Sequence, residues 1–212
     1  MRKLTKSVSI VLVLVMVMLL AGCSSEKSAV LGTWEAEMNL ADLINQGMVS
    51  EDEELAQYLS VDTFYVTIVL AFKDDNTYSM SLDESKLNAS FQQLKADVQA
   101  GLEQYLLDMV ASMGLEMSVD DLMAAMGISM EDLMNEAFTE DIFQNVLDSA
   151  RSEGKFKVKD GKFYLSAGLN YEVEDSVYGH YEVDGNKLTL LDYNGEEEEF
   201  LDMYPIVFTK AG

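Results

Sequence analysis

Lys155-Phe156-Lys157-Val158-Lys159-Asp160-Gly161-Lys162-Phe163-Tyr164-Leu165-Ser166 is the stretch on which the fold turns. Phe156 and Val158 alternate with lysines, the two-residue period of a strand with one face turned inward. Asp160-Gly161 is a hairpin signal, because a two-residue turn that follows the strand twist needs left-handed backbone, which Asp and Gly adopt at low cost. Residues 163–166 then read as the return strand. The pattern recurs downstream. Asp184-Gly185 separates residues 177–183 from 187–191, and Asn194-Gly195 precedes Phe200 and the run Ile206-Val207-Phe208. Evenly spaced strands with short turns predict an antiparallel meander, sandwich or barrel.

The same period appears near the start of the chain. Trp34, Ala36 and Met38 alternate with Glu35 and Glu37, which predicts a strand over 32–38. Residues 62–82 predict a hairpin. Phe64, Val66, Ile68, Leu70 and Phe72 alternate, Asp74-Asp75-Asn76 makes the turn, and Tyr78, Met80 and Leu82 alternate on the return. The opposite face of the first strand is only weakly polar, so it is expected to be covered on both sides. Between these strands, residues 39–60 predict two short helices, with Asn39 as N-cap of the first and Ser50 to Glu53 at capping-box spacing.

From Asp83 to Gly154 the period changes. Leu87, Phe91, Leu94, Val98, Leu102, Tyr105, Met109 and Met113 recur at three and four residues, one stripe of a long helix. Ser118 to Met123 and Ser129 to Met134 match each other at an offset of eleven residues. Each places Ser at the N-cap and acids in the first turn, where they favour the helix dipole. Thr139 opens a further helix through Ile142, Phe143, Val146 and Leu147, and Gly154 is placed to end it. The class is therefore α+β, mainly antiparallel β: a barrel or half-barrel meander over 30–82 and 155–212, with an α-helical insertion over 83–154.

The N-terminus is of another kind. Arg2, Lys3 and Lys6 precede an uncharged, almost wholly aliphatic run from Val8 to Leu20. About thirteen residues is the length of a signal h-region and too short to span a bilayer. Small residues and the only cysteine of the chain follow, in Leu20-Ala21-Gly22-Cys23. This tetrapeptide resembles the lipobox of bacterial lipoproteins. The resemblance implies a signal peptide over 1–22, cleavage between Gly22 and Cys23, a diacylglycerol thioether on Cys23, and a tether over 23–29. The expected location is the extracytoplasmic face of a cell membrane. Two acyl chains give stable anchoring where one gives only reversible binding.

Cleavage removes three basic residues. Of 14 basic residues 11 remain against 38 acidic ones, a net charge of −27. Such a surface repels nucleic acid and anionic headgroups, so no nucleic-acid partner is expected and attachment falls to the acyl chains.

A second resemblance rests on an ordered set of motifs. Gly32-Thr33-Trp34, then Phe72 to Tyr78, Tyr181 to Leu190 and Phe208-Thr209-Lys210 resemble lipocalin-like domains over about 30–82 and 155–210. The resemblance implies a barrel whose end is closed by Trp34 beneath Lys210, a structural cation–π contact. It also implies a small apolar ligand, which the insertion puts in question.

No catalytic residue, cofactor or metal site is assigned. His180 is the only histidine and reads as a surface or rim residue. No phosphate loop, dinucleotide fingerprint or zinc-protease motif is present. Asp74-Asp75-Asn76 and Glu196 to Glu199 lack EF-hand spacing. Met109, Met113, Met117, Met123, Met126, Met130 and Met134 carry three open readings: core filler, an adaptable apolar surface, or a soft-metal site. The favoured function is non-catalytic binding of a small apolar ligand or an envelope partner. The alternatives are a protein–protein or inhibitor module acting through the insertion and, behind it, a carboxylate hydrolase.

Overall fold

Local chemistry sets each hairpin of the meander. Asp160 and Gly161 both adopt left-handed backbone, at φ 55° and 71°, and Lys159 stands opposite Lys162 across them. They join β4 (Ser152–Lys159) to β5 (Lys162–Leu165). Between β6 (Gly179–Asp184) and β7 (Lys187–Leu190), Asp184 pairs with Lys187. The loop is therefore Gly185-Asn186, one residue later than the expected Asp184-Gly185. Gly185, at φ 60°, takes the position where a primed turn needs left-handed backbone. β2 (Tyr65–Phe72) and β3 (Thr77–Leu82) join through Asp74-Asp75-Asn76, with Asn76 left-handed at φ 66°. The Asp75 carboxylate accepts from the Thr77 hydroxyl at 2.6 Å and the Thr77 N–H at 3.0 Å. Those two hydrogen bonds hold it below the ordinary carboxylate value.

This computed structural model describes residues 26–51, 53–194 and 203–212, without the side chains of 48–54. β1 (Gly32–Asn39) and β8 (Ile206–Lys210) complete a closed eight-stranded antiparallel barrel in chain order. Closure is full, so the half-barrel alternative falls away. Residues 26–30 form a helical stretch, α1, where the tether was expected to continue to 29. Gly195, the acidic run 196–199 and the start of the expected last strand lie outside the described residues.

The chain divides into two compact units, one of residues up to Ala36, Val69–Met80 and from Ser152, the other of Glu37–Ile68 and Ser81–Arg151. In the first, Phe72, Phe156 and Phe163 are buried. The Phe72 ring lies 4.9 Å from each of the other two, and those two lie 6.1 Å apart. Burying one such ring stabilises by about 1.5–3 kcal/mol. Gly154, expected to end a helix, instead lies buried in β4. A Cβ there would sit 2.6 Å from the Ser166 carbonyl oxygen and 2.8 Å from Cε1 of Tyr78. The residue is glycine because two other segments approach its backbone.

The second unit holds α2 (Ala41–Glu51), α3 (Glu53–Ala56), α4 (Glu84–Ser112), α5 (Val119–Met126), α6 (Met130–Ala137) and α7 (Glu140–Ser149). Asp83, Ser118, Ser129 and Thr139 cap α4 to α7 through their side chains, and Ser118 with Asp121 closes a capping box. Asn39 accepts from the Ala41 N–H at 3.1 Å. Ser50 is not a helix start, since α2 runs on through Glu51. Val66, Leu87, Phe143 and Leu147 form a core on which Met38, Leu40, Phe64, Leu82 and Phe91 pack. That packing draws residues 37–68 into the helical unit, so its limits differ from the expected 83–154.

Thr67 is 1 % exposed, and its hydroxyl has no hydrogen-bond partner among the described residues. A buried hydroxyl left unpaired costs about 1–3 kcal/mol. Thr67→Val is therefore expected to raise stability by about 1 kcal/mol, and Gly154→Ala to lower it by about 1–3 kcal/mol through overpacking. Urea unfolding monitored by circular dichroism reads both. A stabilising Gly154→Ala contradicts the packing described around Tyr78 and Ser166.

Candidate functional site

The Gly-x-Trp motif has a physical cause. Gly32 stands at φ 118°, and a Cβ there would lie 3.0 Å from Cε of Lys210. Trp34 is fully buried and donates from Nε1 to the Val30 carbonyl at 2.7 Å. Lys210 pairs with Trp34 across β1 and β8, and its Nζ lies 5.0 Å from the indole ring. These contacts organise the barrel seam. Gly22 and Cys23 lie outside the described residues.

The methionines divide. Met123 and Met134 are buried among the helices, at 4 % and 3 % exposure, so for these two the apolar-surface reading is corrected to core filling. They take those places because α5 and α6, at eight residues each, are too short to hold without burying an apolar face. Met109 and Met130 are half-buried. Met113 and Met126 are exposed, at 53 % and 59 %, as are Leu107, Leu115 and Ile128. Leu115 and Ile128 follow helix-ending glycines: their N–H groups reach back to Val110 and Met123 carbonyls at 3.3 and 3.2 Å. In such endings the residue after the glycine usually packs back on its own helix. Here both are left exposed. Asp108, Glu116, Asp120, Asp121, Glu131 and Asp132 intersperse this apolar run and are themselves exposed.

A second cluster covers the outer face of β4, β5 and β6. Lys157 stands opposite Tyr164, Lys159 opposite Lys162, and Lys162 opposite His180. Lys162 Nζ lies 3.7 Å over the Tyr178 ring, and Lys157 Nζ 5.2 Å over Tyr164. Tyr178 meets His180 edge-on at 5.4 Å. His180 Nδ1 lies 2.9 Å from both carboxylate oxygens of Asp192, and its backbone N–H donates to the same group at 3.0 Å. Like charges directly opposite on a sheet oppose pairing. The lysines of 155–159 read in the sequence as the outward positions of a strand, not as a site. The usable signal was four lysines within eight residues of a chain of net charge −24.

Among the described residues no group of three His, Cys, Asp or Glu is placed to hold a metal ion, and no helix is long and apolar enough to cross a membrane.

Asp192 is held below its ordinary value, first by the backbone N–H of His180 and then by the imidazole. The carboxylate therefore contributes stability that is present above the unfolded value of 3.8 and is lost as pH falls through the lower folded value. Asp192→Asn is expected to flatten the acid limb of the stability curve below about pH 4. Thermal melts from pH 2 to 8 check this; an unchanged acid limb refutes the contact.

Comparison with protein-family models, with curated proteins and with solved structures finds no match for this chain.

Proposed function

We propose that the chain is a lipid-anchored, extracytoplasmic, non-catalytic binding protein: a lipocalin-like barrel that carries its partner-binding surface on the helical unit. One observation carries the choice of surface. The helical unit exposes Leu107, Met113, Leu115, Met126 and Ile128 within one stretch of 22 residues. Among the described residues, the exposed apolar side chains of the barrel unit, Leu169, Tyr171, Leu191 and Val207, fall on three separate segments, and its core holds Phe72, Phe156 and Phe163 in ring contact. Exposed apolar side chains grouped with acids mark interaction surfaces. Thioethers suit such a surface because they repack around different partners.

Charge narrows the partner. The only basic residues of the helical unit are Lys86, Lys95 and Arg151, and the unit carries more than half of the 38 acids of the chain. The complementary ligand is a basic amphipathic segment of an envelope protein, with apolar side chains on one face and Lys or Arg on the other. A small apolar ligand within the barrel is less favoured, since rings already occupy that core. The lipobox at Leu20 to Cys23 supports the anchor and the location.

A photocrosslinker placed at Met126 or Leu115 of the membrane-bound protein is expected to capture one discrete basic partner. Met113→Glu with Met126→Glu should abolish capture with little change in the unfolding midpoint, both side chains being exposed. Capture that survives this double change, or moves to a crosslinker on the barrel, refutes the assignment.

A further inference from the structure

The outer face of β4 contributes to a cleft of about 350 Å³ whose lining includes Lys27, Asn76, Lys155, Lys157 and Val173. Its three ammonium groups come from two elements. Lys155 and Lys157 project outward because Phe156 between them is turned into the core. Lys27 lies in α1 and donates to the Asp74 carbonyl oxygen at the β2–β3 turn. Three cations round one concavity are costly in isolation, and the chain supplies replaceable counter-ions. Asp175 Oδ1 lies 2.7 Å from Lys157 Nζ, and Glu172 Oε1 lies 3.9 Å from Lys155 Nζ. Both acids sit on the loop between β5 and β6, and their side chains are 72 % and 95 % exposed. Exposed ion pairs of this kind hold weakly and exchange readily for another anion. Asp175 and Glu172 thus stand where the oxygens of a phosphate would bind.

Two further features select the anion. Lys27 is four residues from Cys23, a reach of at most about 14 Å. The loop that carries the two acids also exposes Leu169 and Tyr171, side chains suited to the boundary between headgroups and acyl chains. We propose that the Lys27–Lys155–Lys157 cleft binds the phosphodiester headgroup of an anionic phospholipid beside the lipid anchor. Bound there, the headgroup offsets locally the repulsion between an acidic protein and an anionic membrane, and sets which face of the barrel meets it. The membrane position rests on the lipoprotein reading; the cleft chemistry does not.

Full-length protein extracted in detergent, exposed to equal amounts of phosphatidylglycerol and phosphatidylcholine and examined by native mass spectrometry, tests this. The native chain is expected to retain the anionic lipid at least about tenfold over the zwitterionic one. Lys27→Gln with Lys155→Gln and Lys157→Gln should remove the preference. Glu172→Gln with Asp175→Asn should strengthen retention several-fold, a gain that misfolding does not mimic. Equal retention of both lipids by the native chain, or an unchanged preference in the triple variant, overturns the proposal. Glycerol phosphate that displaces the lipid at equal concentration would mark a site for soluble phosphate esters and overturn the headgroup assignment. The intact mass of the same sample reports the acyl chains on Cys23. An unlipidated chain that still prefers the anionic lipid refutes the anchor alone, and a lipidated chain without preference refutes the cleft alone.

Discussion

Everything in the barrel depends on the seam where its first strand meets its last. An open meander of eight strands would present two edges with unpaired N–H and C=O groups, a template for aggregation. Here Trp34 and Glu35 pair with Lys210 and Thr209, and the Ala211 N–H donates to the Thr33 carbonyl. Trp34 is the centre of that seam. Its indole N–H is satisfied by Val30, and Lys210 covers the ring. Gly32 makes room for the lysine stem, which a side chain at that position would obstruct. Indole burial, the cation over the ring and strand pairing therefore act at one place, and none of them is available until the whole meander has formed.

The two units solve the problem of stability differently. In the barrel unit, the Phe72 ring of β2 lies 4.9 Å from the rings of Phe156 on β4 and Phe163 on β5, strands that are not its neighbours in the barrel. The lysines that alternate with them face outward, where their charge offsets part of the acidity of the chain. In the helical unit, caps and dipoles do more of the work. α4 to α7 each carry acids in the first turn and no basic residue in the last. The N-terminal half of each dipole is thus favoured and the C-terminal half left to solvent. Phe143, Leu147, Met123 and Met134 supply the burial that such short helices need.

How much of this was legible in the sequence follows from the range of the interactions. Asp160-Gly161 was readable as a turn because both residues must take left-handed backbone whatever surrounds them. The caps at Ser118, Ser129 and Thr139 were readable because a cap bonds an N–H three residues away. Gly154 was misread for the opposite reason. A glycine after a helical stretch has the local signature of a terminator, yet here it answers to Tyr78 and Ser166. The shift from Asp184-Gly185 to Gly185-Asn186 is the same kind of miss: the turn residues were visible, but register is decided by the partner strands. The methionine run illustrates the limit for the candidate surface. Met123 and Met126 are three residues apart on one short helix, and only the packing of that helix decided that the first is buried and the second exposed.

The amino-acid sequence by itself determined the order of strands and helices, the turns, the caps and the excess of negative charge, because each follows from interactions between near neighbours or from composition. The resemblance of Leu20 to Cys23 to a lipobox, on which the proposed anchor rests, is likewise carried by four adjacent residues. The family resemblance implied the contact of Trp34 with Lys210; only the tertiary structure decided that the two residues stand in register where the meander closes and that residues 37–68 pack with the helices. It alone brought Lys27 beside Lys155 and Lys157. Such juxtapositions join residues tens or hundreds of positions apart. No local preference encodes them, and they exist only once burial of the core has made up for the chain entropy lost in bringing them together.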